Sequence, residues 1–267
     1  MTIRRFVWGA AMAAALTGTL AAQQAPVNTY RVYCVNVKPG QGAAFDSFVN
    51  GDLHKLAQAW VDSGEFSGFV AMQTVLPAGK ASECDYVFLD FFSGSPKPPM
   101  TDAEFTAAAQ QAGVSMTPEQ WGQKLDQTAE LVSSTLELTQ DLVGGARKGD
   151  YIVYNPMKVS DMGAWISWEE KMWGPLARSM VKSGQLSGWA LNIQTFPRGA
   201  KDQGLESTSD IYPSWDAFVN SRANDMAAWK AVHPNEDMNS SMDQFTKLCT
   251  IQHQVLYKVV DEIMGKQ

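Results

Sequence analysis

Three histidines, a pair of glutamates beside a tryptophan and three cysteines are the residues of this chain best equipped to do chemistry. His54, His233 and His253 lie far apart, and no HExxH or comparable metal-ligand spacing joins them. His54 falls in a helical pattern, where it reads as an exposed helix residue or as a haem or metal ligand. His233 precedes Pro234 at a helix end, where a cation favours the terminal carbonyls. His253 sits in an alternating stretch, so that Ile251, His253, Val255, Tyr257 and Val259 would share one strand face. Inside a cavity its ring could act as acid, base or ligand; otherwise it is a satisfied polar residue at a strand end.

Glu169 and Glu170 follow Trp168, with Arg178 later on the same helical pattern. A carboxylate near tryptophans can have a raised pKa and act as a base. Helical spacing also allows the solvated face, which is the expectation here. His253 and Glu169 are therefore the catalytic candidates. There is no Gly-x-Ser-x-Gly elbow, P-loop or dinucleotide fingerprint, and no cofactor or metal is assigned. Cys34, Cys84 and Cys249 show no CxxC spacing, and an odd count permits at most one internal bridge. They are expected to be buried free thiols.

The elements that must position these residues come from a repeat. Ser63-Gly-Glu-Phe-Ser-Gly-Phe69 and Ser183-Gly-Gln-Leu-Ser-Gly-Trp189 lie 120 positions apart. The same offset pairs Lys38 with Lys158, Phe45 with Trp165, Phe48 with Trp168, Pro77 with Pro197 and, at the far end, Asp141 with Asp261. A single register held at both ends implies a tandem duplication. Its expected units are residues 28–143 and 150–263, joined by a glycine-rich linker, 144–149.

Each unit reads alike. Strands are expected at Tyr30 to Val37 and Tyr151 to Met157. A helix follows, in the second unit capped by Ser160 and carrying the stripe Trp165, Trp168, Met172, Leu176 and Met180. Gly64 and Gly184 suit its end. Second strands run Phe69 to Leu76 and Trp189 to Phe196, before turns at Pro77 and Pro197. A third strand, two helices (Asp102 to Ala112 and Thr117 to Glu130; Ser214 to Val232 and about Asp237 to Leu248) and a last strand complete each unit. The fold class is α+β, two βαββαβ ferredoxin-like units.

This strand order, with Ser-Gly and Ser-Gly-aromatic at Ser63 to Phe69 and Ser183 to Trp189, resembles the dimeric α/β-barrel superfamily over residues 28 to 263. The resemblance implies a pseudo-dimeric barrel within one chain, a monomer in solution. That superfamily includes cofactor-free monooxygenases, haem enzymes, small isomerases and proteins without known activity, and fold alone does not choose among them.

Charge and hydropathy bound the partners. Arg4 and Arg5, the apolar stretch Phe6 to Leu20 and small residues at Ala21-Ala22 have the order of a secretory signal peptide, residues 1–22. A periplasmic or secreted protein is expected, with no membrane span after processing. Without Arg4 and Arg5 the chain has 19 basic against 28 acidic residues, a balance that argues against nucleic acid.

Many tryptophans and methionines suit either an adaptable apolar pocket or a core under a sheet. A pocket between the two sheets would be lined by Tyr33, Gln73, Tyr154, Trp189, Asn192, Gln194 and His253. Its ligand would be an apolar or aromatic small molecule. The functional expectation is an exported binding or accessory protein. The alternatives are a cofactor-independent oxygenase-like or haem-dependent enzyme, and an interaction module with a filled barrel.

Overall fold

A computed structural model describes residues 28–79, 82–198 and 205–265. The expected leader, residues 1–22, lies outside the described residues. The first half runs β1 (Asn28–Val37), α1 (Gly42–Phe48), a π-helical turn (Val49–Leu53), α2 (His54–Asp62), β2 (Gly68–Leu76), β3 (Tyr86–Ser93), α3 (Asp102–Gln111), α4 (Pro118–Thr128) and β4 (Ala129–Gly144). The second half follows with β5 (Tyr151–Val159), α5 (Met162–Trp168), a π-helical turn (Glu169–Trp173), α6 (Gly174–Ser183), β6 (Gly188–Phe196) and β7 (Leu205–Tyr212). It ends with α7 (Trp215–Val219), α8 (Ser221–Val232), α9 (Met238–Leu248) and a last strand split into β8 (Cys249–Ile251) and β9 (Val255–Met264).

Local chemistry accounts for the helix ends. Thr101 and Thr117 open α3 and α4 with reciprocal capping boxes to Glu104 and Gln120. α5 is capped by Asp161, whose carboxylate accepts from the Ala164 amide, and not by Ser160 as the sequence suggested. The Ser160 hydroxyl instead donates to the Leu248 carbonyl at 2.8 Å, joining β5 to the end of α9. Gly184, at φ 78°, takes the left-handed conformation that ends α6.

All the strand pairings are antiparallel, in the order β7-β6-β4-β1-β3-β2-β9-β5, and β5 pairs back onto β7 to close the barrel. β8 extends the β9 edge, pairing with β5 at Met157–Val159. Each half lends its last strand to the other. β4 pairs with β1 and also with β6, from Leu136↔Phe196 to Gly144↔Gly188, and β9 pairs with both β5 and β2. Two side-chain contacts repeat this exchange. Arg178 on α6 holds Asp141 of β4 at 2.6 Å, and His54 on α2 holds the buried Asp261 of β9 at 2.7 Å. His54 is thus half-exposed and partnered across the halves.

Helices cover the outside of the barrel. Phe45, Phe48, Phe69 and Phe88 pack there in the first half, and Trp165, Trp168, Trp189 and Leu191 in the second. The tryptophan cluster is therefore helix–sheet core. A separate apolar cluster, including Val70, Met72, Val87, Ile152 and Val259, lies inside the barrel. Cys34 and Cys84 form a disulfide with a Cα–Cα distance of 5.3 Å, so only Cys249 is a free, buried thiol. The expectation of three free thiols fails because antiparallel pairing of β1 and β3 brings together residues that no short spacing connects.

Candidate functional site

Alternation along the strands decides what enters the barrel. β1 sends Tyr30, Val32 and Cys34 inward, and Tyr33 packs on the opposite face against the first helix layer. A cavity of about 1430 Å³ takes in the barrel interior and continues past one end of it to the end of α2 and residues 63–67. An adjoining space of about 370 Å³ shares Glu83, Glu137, Tyr154, Gln194 and His253 with it.

Among the expected ligand-binding residues, Tyr154, Asn192, Gln194 and His253 line this cavity. Tyr33, Gln73 and Trp189 do not. Each is one residue out of phase with an inward neighbour: Tyr33 beside Val32 and Cys34, Gln73 beside Met72, and Trp189 beside Ala190. Trp189 is fully buried in the outer core, whereas Gln73 is exposed.

His253 is displaced from its expected strand. The strand is interrupted at residues 252–254, between β8 and β9, although the Gln252 amide still donates to the Pro156 carbonyl, and the His253 ring stands half-exposed at the mouth, 3.7 Å from Glu83. Glu169 is likewise not where helical spacing put it. It is buried on the π-helical turn, outside the barrel and under the second helix layer, and is not on a solvated face. Burial, then the charge of Asp210, holds its carboxyl well above the usual range. Asp210 accepts from Asn155 Nδ2 at 3.1 Å and from Trp173 Nε1 at 3.3 Å, and burial pushes its pKa up to about 6. His233 ends α8 with Nε2 2.8 Å from the Met172 carbonyl, a structural contact.

The group that sequence reading missed is Glu137, at the centre of the barrel. It is 4% exposed. The Tyr30 hydroxyl donates to its Oε2 at 2.6 Å, and the Thr135 hydroxyl to its Oε1 at 3.3 Å. Burial raises its pKa above the ordinary carboxylate range. Burial also raises Tyr30 and Tyr154 well above a free phenol, and the charge of Glu137 adds to both. The signal was the stretch Thr135-Leu-Glu-Leu-Thr139. Its leucines draw attention to one face, yet in a helix-covered barrel it is the polar face of this strand that meets the cavity. Among the described residues, no group of three or more His, Cys, Asp or Glu could hold a metal ion.

No protein-family model matches the chain, and no curated protein matches it in sequence. Its likeness to known proteins is structural. A provisionally assigned monooxygenase from Fusobacterium nucleatum subsp. nucleatum superposes with a TM-score of 0.56 at 12% identity, over 91% of this chain and 98% of the other. One from Lactobacillus acidophilus NCFM gives 0.52 at 6% identity, over 90% and 100%. An anthrone oxidase-like protein gives 0.51 at 10% identity, over 92% and 95%. At these identities the likeness shows the fold. The chain is a ferredoxin-like α/β barrel of the dimeric type, assembled here from the two halves of one polypeptide.

Proposed function

We propose that the barrel is a binding chamber for an apolar or aromatic small molecule and that Glu137 handles a proton on it. The observation that carries this reading is a buried carboxyl, hydrogen-bonded by Tyr30, facing a roomy and largely apolar cavity. A mostly apolar cavity with a few convergent polar groups is the usual form of a small-molecule site. A cavity of about 1430 Å³ also speaks against the filled-barrel module. The neutral fluorophore N-phenyl-1-naphthylamine should bind the purified chain with one site. Absence of any fluorescence enhancement would remove the chamber from consideration.

A second reading, cofactor-independent oxygenation, draws on the same carboxyl. In its ionised form Glu137 can accept the proton of a phenol or enol, leaving an electron-rich anion to react with dioxygen. The monooxygenase-like and anthrone oxidase-like neighbours support it at the level of fold alone. Oxygen uptake with a panel of naphthols should fall by at least about 100-fold in Glu137→Gln while fluorophore binding persists. Equal uptake by both proteins would rule Glu137 out as the base. His253 and Glu169 are assigned no catalytic role, the first lying at the mouth and the second outside the cavity.

We also propose that the mature chain works in the periplasm or outside the cell. Support comes from the basic start, the apolar run and Ala21-Ala22. The Cys34–Cys84 bridge suits an oxidising compartment. N-terminal sequencing of the periplasmic or secreted protein should begin near residue 22 or 23, and an intact Met1 on a cytosolic chain would overturn the proposal.

A further inference from the structure

The barrel interior is divided by strand. Three consecutive strands, β7, β6 and β4, contribute polar side chains, among them Ser209, Asn192, Gln194, Thr135 and Glu137. The facing arc of β1, β3 and β2 contributes mainly Val32, Val70, Met72, Val87 and Leu89, and β9 beside it adds Tyr257. Tyr30 and Tyr154 stand at the two seams, on the strands that flank the polar arc. Positions related by the 120-residue offset explain how the halves came to differ. Met72 faces Asn192 in that correspondence, Val87 faces Ser207 and Leu89 faces Ser209. A barrel of two identical halves would instead repeat each wall, and with it each site.

Two further observations say what the polar arc awaits. Ser207, only 2% exposed, lines the adjoining space beside Glu137 and Tyr154 and adds a hydroxyl to the polar arc. Secondly, the one acidic side chain buried inside the cavity lining is Glu137, and the basic side chains of the lining, Lys97 and His253, stand at the mouths together with Asp62, Glu65 and Glu83. An anionic ligand would meet a buried carboxyl with no compensating charge.

We infer that the chamber takes one neutral, edge-amphipathic ring system per chain, with its hydroxyl or amine groups along one edge against β4, β6 and β7 and its apolar edge against β1, β3 and β2. This rests on the small-molecule reading above and specifies it. The two isomers 2,7-dihydroxynaphthalene and 2,6-dihydroxynaphthalene separate the two claims. They share composition, but the first has both hydroxyls on one long edge and the second has them on opposite edges. Titration calorimetry should give one site per chain and about tenfold tighter binding of the 2,7 isomer, the worth of one added hydrogen bond to the polar arc. Asn192→Leu should remove most of that preference while retaining N-phenyl-1-naphthylamine, which shows that the fold and chamber persist. Equal affinity for the isomers, or two sites per chain, would overturn the orientation and leave the chamber standing. Binding of neither isomer nor the fluorophore would sink the chamber itself.

Discussion

Asp210 and Glu169 are buried carboxyls on the helix-covered side of β7 and the facing π turn. For Asp210 the sign follows from its raised pKa, about 6 in the folded chain against 3.8 ordinarily. Below about pH 4 folded and unfolded chains both hold the proton, and the group is neutral to stability. As pH rises towards 6 the unfolded chain alone releases it, so stability falls, and above that the loss is complete. The loss amounts to about 3 kcal/mol. Urea melts at pH 4 and pH 7 should therefore show wild type losing about that much more than Asp210→Asn; parallel pH profiles would refute the assignment. Asp90, pushed up to about 7 by burial, extends the same trend, tempered by Arg31 and Tyr33. Glu137 differs in kind, because its buried carboxyl faces a cavity where its proton has something to meet.

At the scale of elements, the exchange of last strands depends on close backbone approach where β4 meets β6. A Cβ on Gly188 would stand 2.6 Å from the Gly145 amide nitrogen, and one on Gly144 2.1 Å from the Ser187 carbonyl oxygen. Gly188→Ala is expected to destabilise by about 1–3 kcal/mol through this overlap. Gly122 lies inside α4 with nothing within 4 Å of the same atom, and Gly122→Ala should gain about 0.5–1 kcal/mol from helix propensity. Chemical denaturation of the two variants checks both signs, and a destabilised Gly122→Ala would mean that α4 packs differently. The split of the last strand into β8 and β9 belongs to this scale too, since it turns His253 from a strand residue into a mouth residue.

For the whole molecule, closure of the barrel requires both halves. β4 and β9 each complete the other half's sheet, and the interior apolar cluster draws on β1, β2 and β3 as well as β5, β7 and β9. Residues 28–149 and 150–265 expressed separately should therefore not fold as monomers, and mixing them should restore a one-to-one complex on size-exclusion chromatography. A stable monomeric half would contradict the shared core. Within the first half, the Cys34–Cys84 bridge closes a loop with a sequence separation of 50. Its removal in Cys34→Ala/Cys84→Ala should cost about 2–4 kcal/mol, read as a lower thermal midpoint.

By itself the sequence determined the architecture, because architecture is written in local terms. Period-2 strands, the aromatic stripes of α1 and α5 and the Ser-Gly turns at Gly64 and Gly184 are set by neighbours a few residues away. It also placed Tyr154, Asn192 and Gln194 on strands that line the cavity. Tertiary structure alone decided which face of each strand looks inward, since a one-residue change of phase moves Tyr33, Gln73 or Trp189 to the other side of the sheet. It decided that the helices cover the more apolar face of β4, which turns Glu137 towards the cavity and makes it the central group of the site. The same holds for Cys34 with Cys84 and for Glu169 beneath its helix. Burial and long-range pairing are properties of the closed barrel, and no segment of the chain contains them.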